Sequence, residues 1–293
     1  MDAGGSARDR VAKAAAAAKA WFDASFPGRC MRRMYAIDGR NRAITLAGQA
    51  FIALIPLLVV VSGWLSRDGN QQFADLLIEY FELSGSSAEA VNALFARPPD
   101  ATGGLTLLGF VILLFSVGSF SRSLQRLYEL AWGLEPAPRV RSTFSGLGGV
   151  AFMLAMFTLV GWIGHLLGPA GIVIQALVSV PLWLVFIRIE LGGRADLEDL
   201  LPAAVLSTVV QLAAGWWTHL YVPHLIAIDA QRYGVIGVAF AIVAWLVIVA
   251  YVLVGTAVVG YELSGWMRSH GFTARLLTLA GRTIPRPTRQ EEP

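Results

Sequence analysis

Between Ile44 and Leu65 the chain runs for about 22 residues without one charged side chain. Comparable runs recur five more times before Leu263. A bilayer core roughly 30 Å thick needs about 20 apolar helical residues to cross it. Backbone amides in hydrocarbon find no water, so each such segment must bond within itself as a helix. The pattern predicts an all-α, polytopic membrane protein. It has six transmembrane helices and an amphipathic extracytoplasmic segment.

The expected spans are roughly Ile44–Leu65, Gly103–Phe120, Phe144–Leu166, Ile172–Ile187, Leu200–Tyr221 and Gly234–Tyr261. Gly168-Pro169-Ala170-Gly171 reads as a tight turn between the third and fourth. Asp199 is expected to cap the fifth, with Pro202 in its first turn. Three regions follow. Residues 1–43 form a basic, cytoplasmic or interfacial N-terminal helix. Residues 44–263 form the membrane domain and contain the outer loop 67–102. Residues 264–293 form a cytoplasmic tail expected to be disordered.

The charges orient this bundle. With the N-terminus inside, the segments 1–43, 121–143, 188–199 and 262–293 hold 9, 4, 2 and 5 Lys/Arg. The outer segments hold only Arg67, Arg97 and Arg232. Such asymmetry is the positive-inside pattern. It places both termini in the cytoplasm of a cell whose inner membrane holds the protein. The formal net charge of +3 does not require nucleic acid. Arg29, Arg32, Arg33, Arg40 and Arg42 suit an anionic lipid surface, with Lys13, Lys19, Trp21, Phe22 and Phe26 at headgroup level. Cys30 is the one cysteine, so neither an intrachain disulfide nor a thiolate metal cluster is expected. No cleavable signal peptide is evident, because the first apolar run follows a long basic segment.

The outer loop Arg67–Thr102 interleaves Asp75, Glu79, Glu82 and Glu89 with Phe73, Leu76, Leu77, Phe81 and Leu94. That mixture predicts one or two amphipathic helices on the outer surface. A solvated acidic face is the plain reading of those carboxylates, and a cation- or partner-binding surface the sharper one.

Four short stretches resemble a known family. They are Arg42-Ala43-Ile44 leading to Ala53-Leu54-Ile55-Pro56-Leu57-Leu58, and Ser119-Phe120-Ser121-Arg122-Ser123-Leu124-Gln125-Arg126 followed by Ala131-Trp132-Gly133. Asp199-Leu200-Leu201-Pro202-Ala203-Ala204 is the third. Tyr233-Gly234-Val235-Ile236-Gly237 with Gly260-Tyr261-Glu262-Leu263 is the fourth. In this order the chain resembles the YihY/BrkB membrane proteins over roughly residues 25–267. The resemblance implies a six-span inner-membrane protein of a family once labelled ribonuclease BN and often taken for a transporter. It brings no catalytic residues to carry over.

Ribonuclease chemistry needs metal-binding carboxylates or a paired acid and base. The dense acidic group is Glu190, Asp196, Glu198 and Asp199, in a short cytoplasmic loop without a histidine. His165, His219, His224 and His270 are scattered, and His219 and His224 flank Pro223 at a spacing that suits no metal. No enzymatic activity, metal or cofactor is expected. Gly103-Gly104 and Gly148-Gly149 fit close helix packing better than phosphate binding.

Polar residues inside the spans are the better candidates. Gln49, Gln175 and Gln211 either bond helices together or line a solute path with Pro56 and Pro181. Each proline frees a carbonyl one turn earlier, at Ile52 and Leu177. Their spans are three apart, the pattern of an inverted repeat with broken helices, although proline is common in such helices by chance. No Asp, Glu, Lys or Arg stands at mid-membrane, which argues against an ion-coupled pump. Arg122 and Arg126 stand one turn apart at the inner end of the second span. They serve as positive-inside anchors or as a contact for an anionic headgroup, and Glu129 can pair with Arg126. Glu262 is a candidate partner for Arg122. The functional expectation is a transporter or lipid-translocating protein of unspecified substrate. A non-transporting envelope scaffold or assembly factor comes second and a membrane-bound hydrolase last. Expected partners are membrane lipids, anionic ones among them, and a second copy or an envelope protein.

Overall fold

The computed structural model describes residues 19–64, 84–95, 103–136 and 139–269, with Ala16, Asp75, Ile78 and Glu79. Every regular element among them is helical. In chain order these are α1 (Phe26–Ala36), α2 (Gly39–Trp64), α3 (Ser86–Phe95), α4 (Gly103–Ala131), α5 (Arg139–Leu167), α6 (Ile172–Glu190), α7 (Leu197–Tyr233) and α8 (Val235–Ser269). The expected tight turn at Gly168–Gly171 is a short 3-10 helix joining α5 to α6.

Five helices are long and apolar enough to cross a membrane: α4, α5, α6, α7 and α8. The expected first span lies in α2, a 26-residue helix with Pro56 inside it. The helices overrun the expected spans because helical hydrogen bonding does not stop at the edge of the hydrocarbon. The 37-residue α7 is about 56 Å long at 1.5 Å per residue, well beyond a core of about 30 Å. It begins at Leu197 with Asp196 at its N-cap, so Asp199 sits in the first turn rather than capping it, and Pro202 falls in the second. It continues through Pro223 to Tyr233, where a loop was expected. Gly234 then reverses the chain into α8 in a single residue, at φ +61°, a conformation that costs a side chain dearly.

The helices close a ring. α2 packs on α4 and α8, α4 on α5, α5 on α6, α6 on α7 and α7 on α8. The main core lies at one end, the end rich in arginine. There Leu46 of α2, Leu124 and Leu127 of α4, Met156 of α5, Phe186 and Ile187 of α6, Leu200 of α7 and Val254 of α8 are buried together. A smaller cluster lies at the opposite end. Ala90 and Val91 of α3 pack against Val222, Ile226 and Ala230 of α7 and Val238 and Ala241 of α8. Glu89 of α3 is exposed and Ile78 packs against the same cluster. Asp75 and Glu79 of the expected amphipathic pattern are exposed, whereas Phe73, Leu76, Leu77, Phe81 and Glu82 lie outside the described residues, as does the tail beyond Ser269.

Between the two clusters the ring turns large apolar side chains outward. Phe115 is 75% exposed and Leu177 69%. A contiguous apolar surface of this kind is unstable in water and ordinary in lipid. Close approach holds the longest interface together: a Cβ on Gly260 of α8 would lie 2.8 Å from Ala203 Cβ of α7. Gly260→Val should therefore lower the stability of the detergent-solubilised protein by about 1–3 kcal/mol, the usual cost of overpacking. Gly255→Ala on the same helix meets no atom within 4 Å and should leave thermal unfolding unchanged.

Candidate functional site

α4 carries two different faces at its Arg-rich end. Arg122 and Arg126 are exposed on one. Ser121, Gln125, Tyr128 and Glu129 are buried on the other. The spacing of four from Ser121 to Gln125 to Glu129 keeps these groups on one side of the helix. α5 meets that side with glycines. A Cβ on Gly146 would strike Ser121 Oγ, and one on Gly149 would strike Glu190 Oε1. Gly148, between them, faces open space. The close packing expected of the Gly148-Gly149 pair is therefore the work of Gly149.

Glu190 was expected in a cytoplasmic loop. It is instead the last residue of α6 and fully buried, because α6 continues one turn past Ile187 and keeps its register toward the core. Glu129 and Tyr128 both stand within electrostatic reach of it. Neither Glu190 carboxylate oxygen has a hydrogen-bond partner, and the Tyr128 hydroxyl has none. Glu129, almost as buried, is held by Arg194, whose Nη2 lies 2.5 Å from its Oε1. That guanidinium also donates to the Leu191 carbonyl at 2.9 Å and the Glu135 carbonyl at 2.6 Å. The structure thus pairs Glu129 with an arginine on the α6–α7 connection. Only tertiary packing brings Arg194 within reach.

A second charge cluster ties α1 to the bundle. Glu262 of α8 accepts from Arg29 at 3.2 Å and Arg33 at 2.9 Å. Arg33 also donates to the Ala131 carbonyl at 2.7 Å, one of the carbonyls that the end of α4 leaves open. Its guanidinium lies 3.7 Å from the Tyr261 ring centroid. Glu262 therefore pairs with two arginines of α1, where Arg122 had been one candidate. Nearby, Arg268 pairs with Asp199 at 2.9 Å. Arg42 and Arg126 stand close enough for their charges to repel.

The intramembrane candidates are spread round the ring. Gln49 of α2 donates to Ser119 Oγ of α4 at 3.1 Å. Gln175 of α6 donates to the Val160 carbonyl of α5 at 3.2 Å, with Gly164 beneath its amide. Gln211 of α7 accepts from the Trp183 indole of α6. Each glutamine bridges a different pair of neighbouring helices. Pro56 is buried, whereas Pro181 is exposed on the outer face of α6 that also carries Leu177 and Val185. Among the described residues, no three His, Cys, Asp or Glu are grouped to hold a metal.

The family profile described as Virulence factor BrkB matches residues 30–271. The chain belongs to the BrkB family. The match takes in α2 through α8 and every group just described except Arg29. With its run of apolar helices, this BrkB protein is a multi-pass membrane protein. No curated protein and no solved structure matches it. Sequence reasoning singled out Arg122 and Arg126 of α4, which are exposed, and did not place Glu129 or Glu190 in the core. The available signal was the four-residue spacing of Ser121, Gln125 and Glu129.

Cys30 reports on the α1 latch. Burial pushes its thiol above the ordinary range, and the negative charge of Glu262 adds to the shift. Glu262→Gln removes that charge while Arg29 and Arg33 still favour the thiolate, so at a fixed pH near 8 alkylation of Cys30 should run several-fold faster than in the parent protein. The difference should narrow as pH rises above the thiol's titration. Equal rates at all pH values would show that Glu262 does not hold α1.

Proposed function

We propose that this BrkB-family protein is an inner-membrane transporter or lipid-translocating protein. It has six spans, α2 being the first, with both termini in the cytoplasm and α3 part of an amphipathic outer surface. The observation that carries the reading is the buried polar column of Ser121, Gln125, Tyr128, Glu129 and Glu190 inside a ring of apolar helices. Charged groups are expensive within a membrane bundle and are characteristically retained on substrate or ion pathways. A purely structural bundle gains nothing from a carboxylate that bonds to nothing. The arginine asymmetry supports the orientation, because the core end with the column is also the end with Arg29, Arg33, Arg42, Arg122, Arg126, Arg194 and Arg268.

The substrate class tested first is an anionic lipid. Arg122 and Arg126 are exposed at the rim of the bundle, and guanidinium groups match phosphate oxygens bidentately. The purified protein in vesicles should accelerate transbilayer movement of fluorophore-labelled phosphatidylglycerol, read as loss of protection from dithionite. The double variant Arg122→Ala/Arg126→Ala should slow that movement without altering thermal unfolding. Movement no faster than in protein-free vesicles would overturn the lipid reading. A stoichiometric envelope protein retained on gentle release from the membrane would then favour the scaffold.

A further inference from the structure

Glu129 and Glu190 are the two buried charged residues among those described. Three other carboxylates at this end with restricted exposure are matched by a guanidinium: Glu129 by Arg194, Glu262 by Arg29 and Arg33, and Asp199 by Arg268. Glu190 has no such ion pair, and both its oxygens lack a hydrogen bond. A bare buried carboxylate is costly beyond what packing can offset. Its neighbours do not relieve it. From α4 come the Glu129 carboxylate, which repels it, and the Tyr128 hydroxyl, which makes no bond to it. α5 offers the backbone at Gly149, and the residue before Glu190 packs its Ile189 side chain there. From α7, Asp199 is already committed to Arg268, and Glu198 is exposed. Arg194, beyond Glu129, is satisfied by that carboxylate and two carbonyls.

With Glu190 ionised, the cluster of Glu129, Arg194 and Glu190 would carry one surplus negative charge in a desolvated place. We propose that Glu190 is a proton-binding site of the membrane bundle, reached from water through the Glu129–Arg194 pair. This rests on the transport reading above and gives it a coupling ion. In the uptake step a hydronium ion gives its proton to Oε1 or Oε2 of Glu190. An O–H bond forms, water is left, and the local charge returns to zero. The entry side is set by exposure: the Arg194 side chain is 30% exposed and the Glu129 side chain 4%, so solvent ends at that pair. Tyr128 lies on the same buried face, its hydroxyl open to a transferred proton or a bridging water. The expectation from the bare sequence concerned charge at mid-membrane; Glu190 stands instead at the Arg-rich end of α6, where helix continuation buries it.

The test uses the full chain in vesicles and the hydrophobic reagent dicyclohexylcarbodiimide, which attacks buried protonated carboxyls. The carboxyl oxygen bonds to the carbodiimide carbon, and the acid proton passes to a carbodiimide nitrogen. Acyl migration then fixes the label with nothing leaving. Peptide mapping by mass spectrometry should place the adduct on Glu190, with a yield that falls as pH is raised. Glu190→Gln, which keeps the shape and removes the acid, should lose that adduct. If the variant does not fold, the pH series on the parent protein decides alone through the mapped peptide. No adduct at Glu190, or a yield independent of pH, would overturn the proposal. The readout involves no flux. A protein that labels at Glu190 and moves no lipid keeps the site and loses the lipid reading. One that moves lipid without labelling loses only the site.

Discussion

A helix surrounded by hydrocarbon gains no hydrophobic free energy by touching another helix, and this constraint shapes the whole bundle. Contact must come from close packing or from polar groups that would otherwise be stranded. Both appear at nearly every seam. Gly260 lets α8 lie against Ala203 of α7, and Gly146, Gly149 and Gly164 let α5 receive polar side chains from α4 and α6. Gln49, Gln175 and Gln211 each close a different seam with a hydrogen bond. Such bonds are worth about 1 kcal/mol or less each in membranes, so they specify neighbours more than they stabilise them.

At the Arg-rich end the logic changes, because water and charge become available. Glu262 gathers α1 onto α8 through two guanidinium groups, and Arg33 adds the open end of α4. Arg194 ties the α6–α7 connection to α4. Three separate stretches of chain are thus anchored where the main core lies, while the middle of the ring shows apolar side chains outward. Charge pairs fix the Arg-rich end, while apolar packing and single polar bonds join the helices elsewhere. Glu190 lies at the boundary between the two regimes.

The sequence alone revealed the solvent and therefore the class of fold. Charge-free runs of about 20 residues permit only helices in a membrane, and α4 through α8 follow from that without reference to any neighbour. The four family stretches pointed to the BrkB assignment, and the family match covers all four. The exposed pair Arg122 and Arg126 was equally legible, since a spacing of four fixes one helical face. Helix length was not legible at α7. Polarity stops the hydropathy signal near Tyr221, but hydrogen bonding carries the helix on to Tyr233.

Tertiary structure alone decided which charges meet. Glu129 meets Arg194, 65 residues away in sequence, only through the fold. Glu262 has a choice of arginines at this end of the bundle and takes those of α1. Glu190 reads as a loop residue until one extra turn of α6 carries it into the core. Local physics sets which residues are helical and which face they share. Pairing across the bundle depends on how helices with nearly uniform apolar surfaces are rotated and staggered, and no single stretch of sequence contains that information.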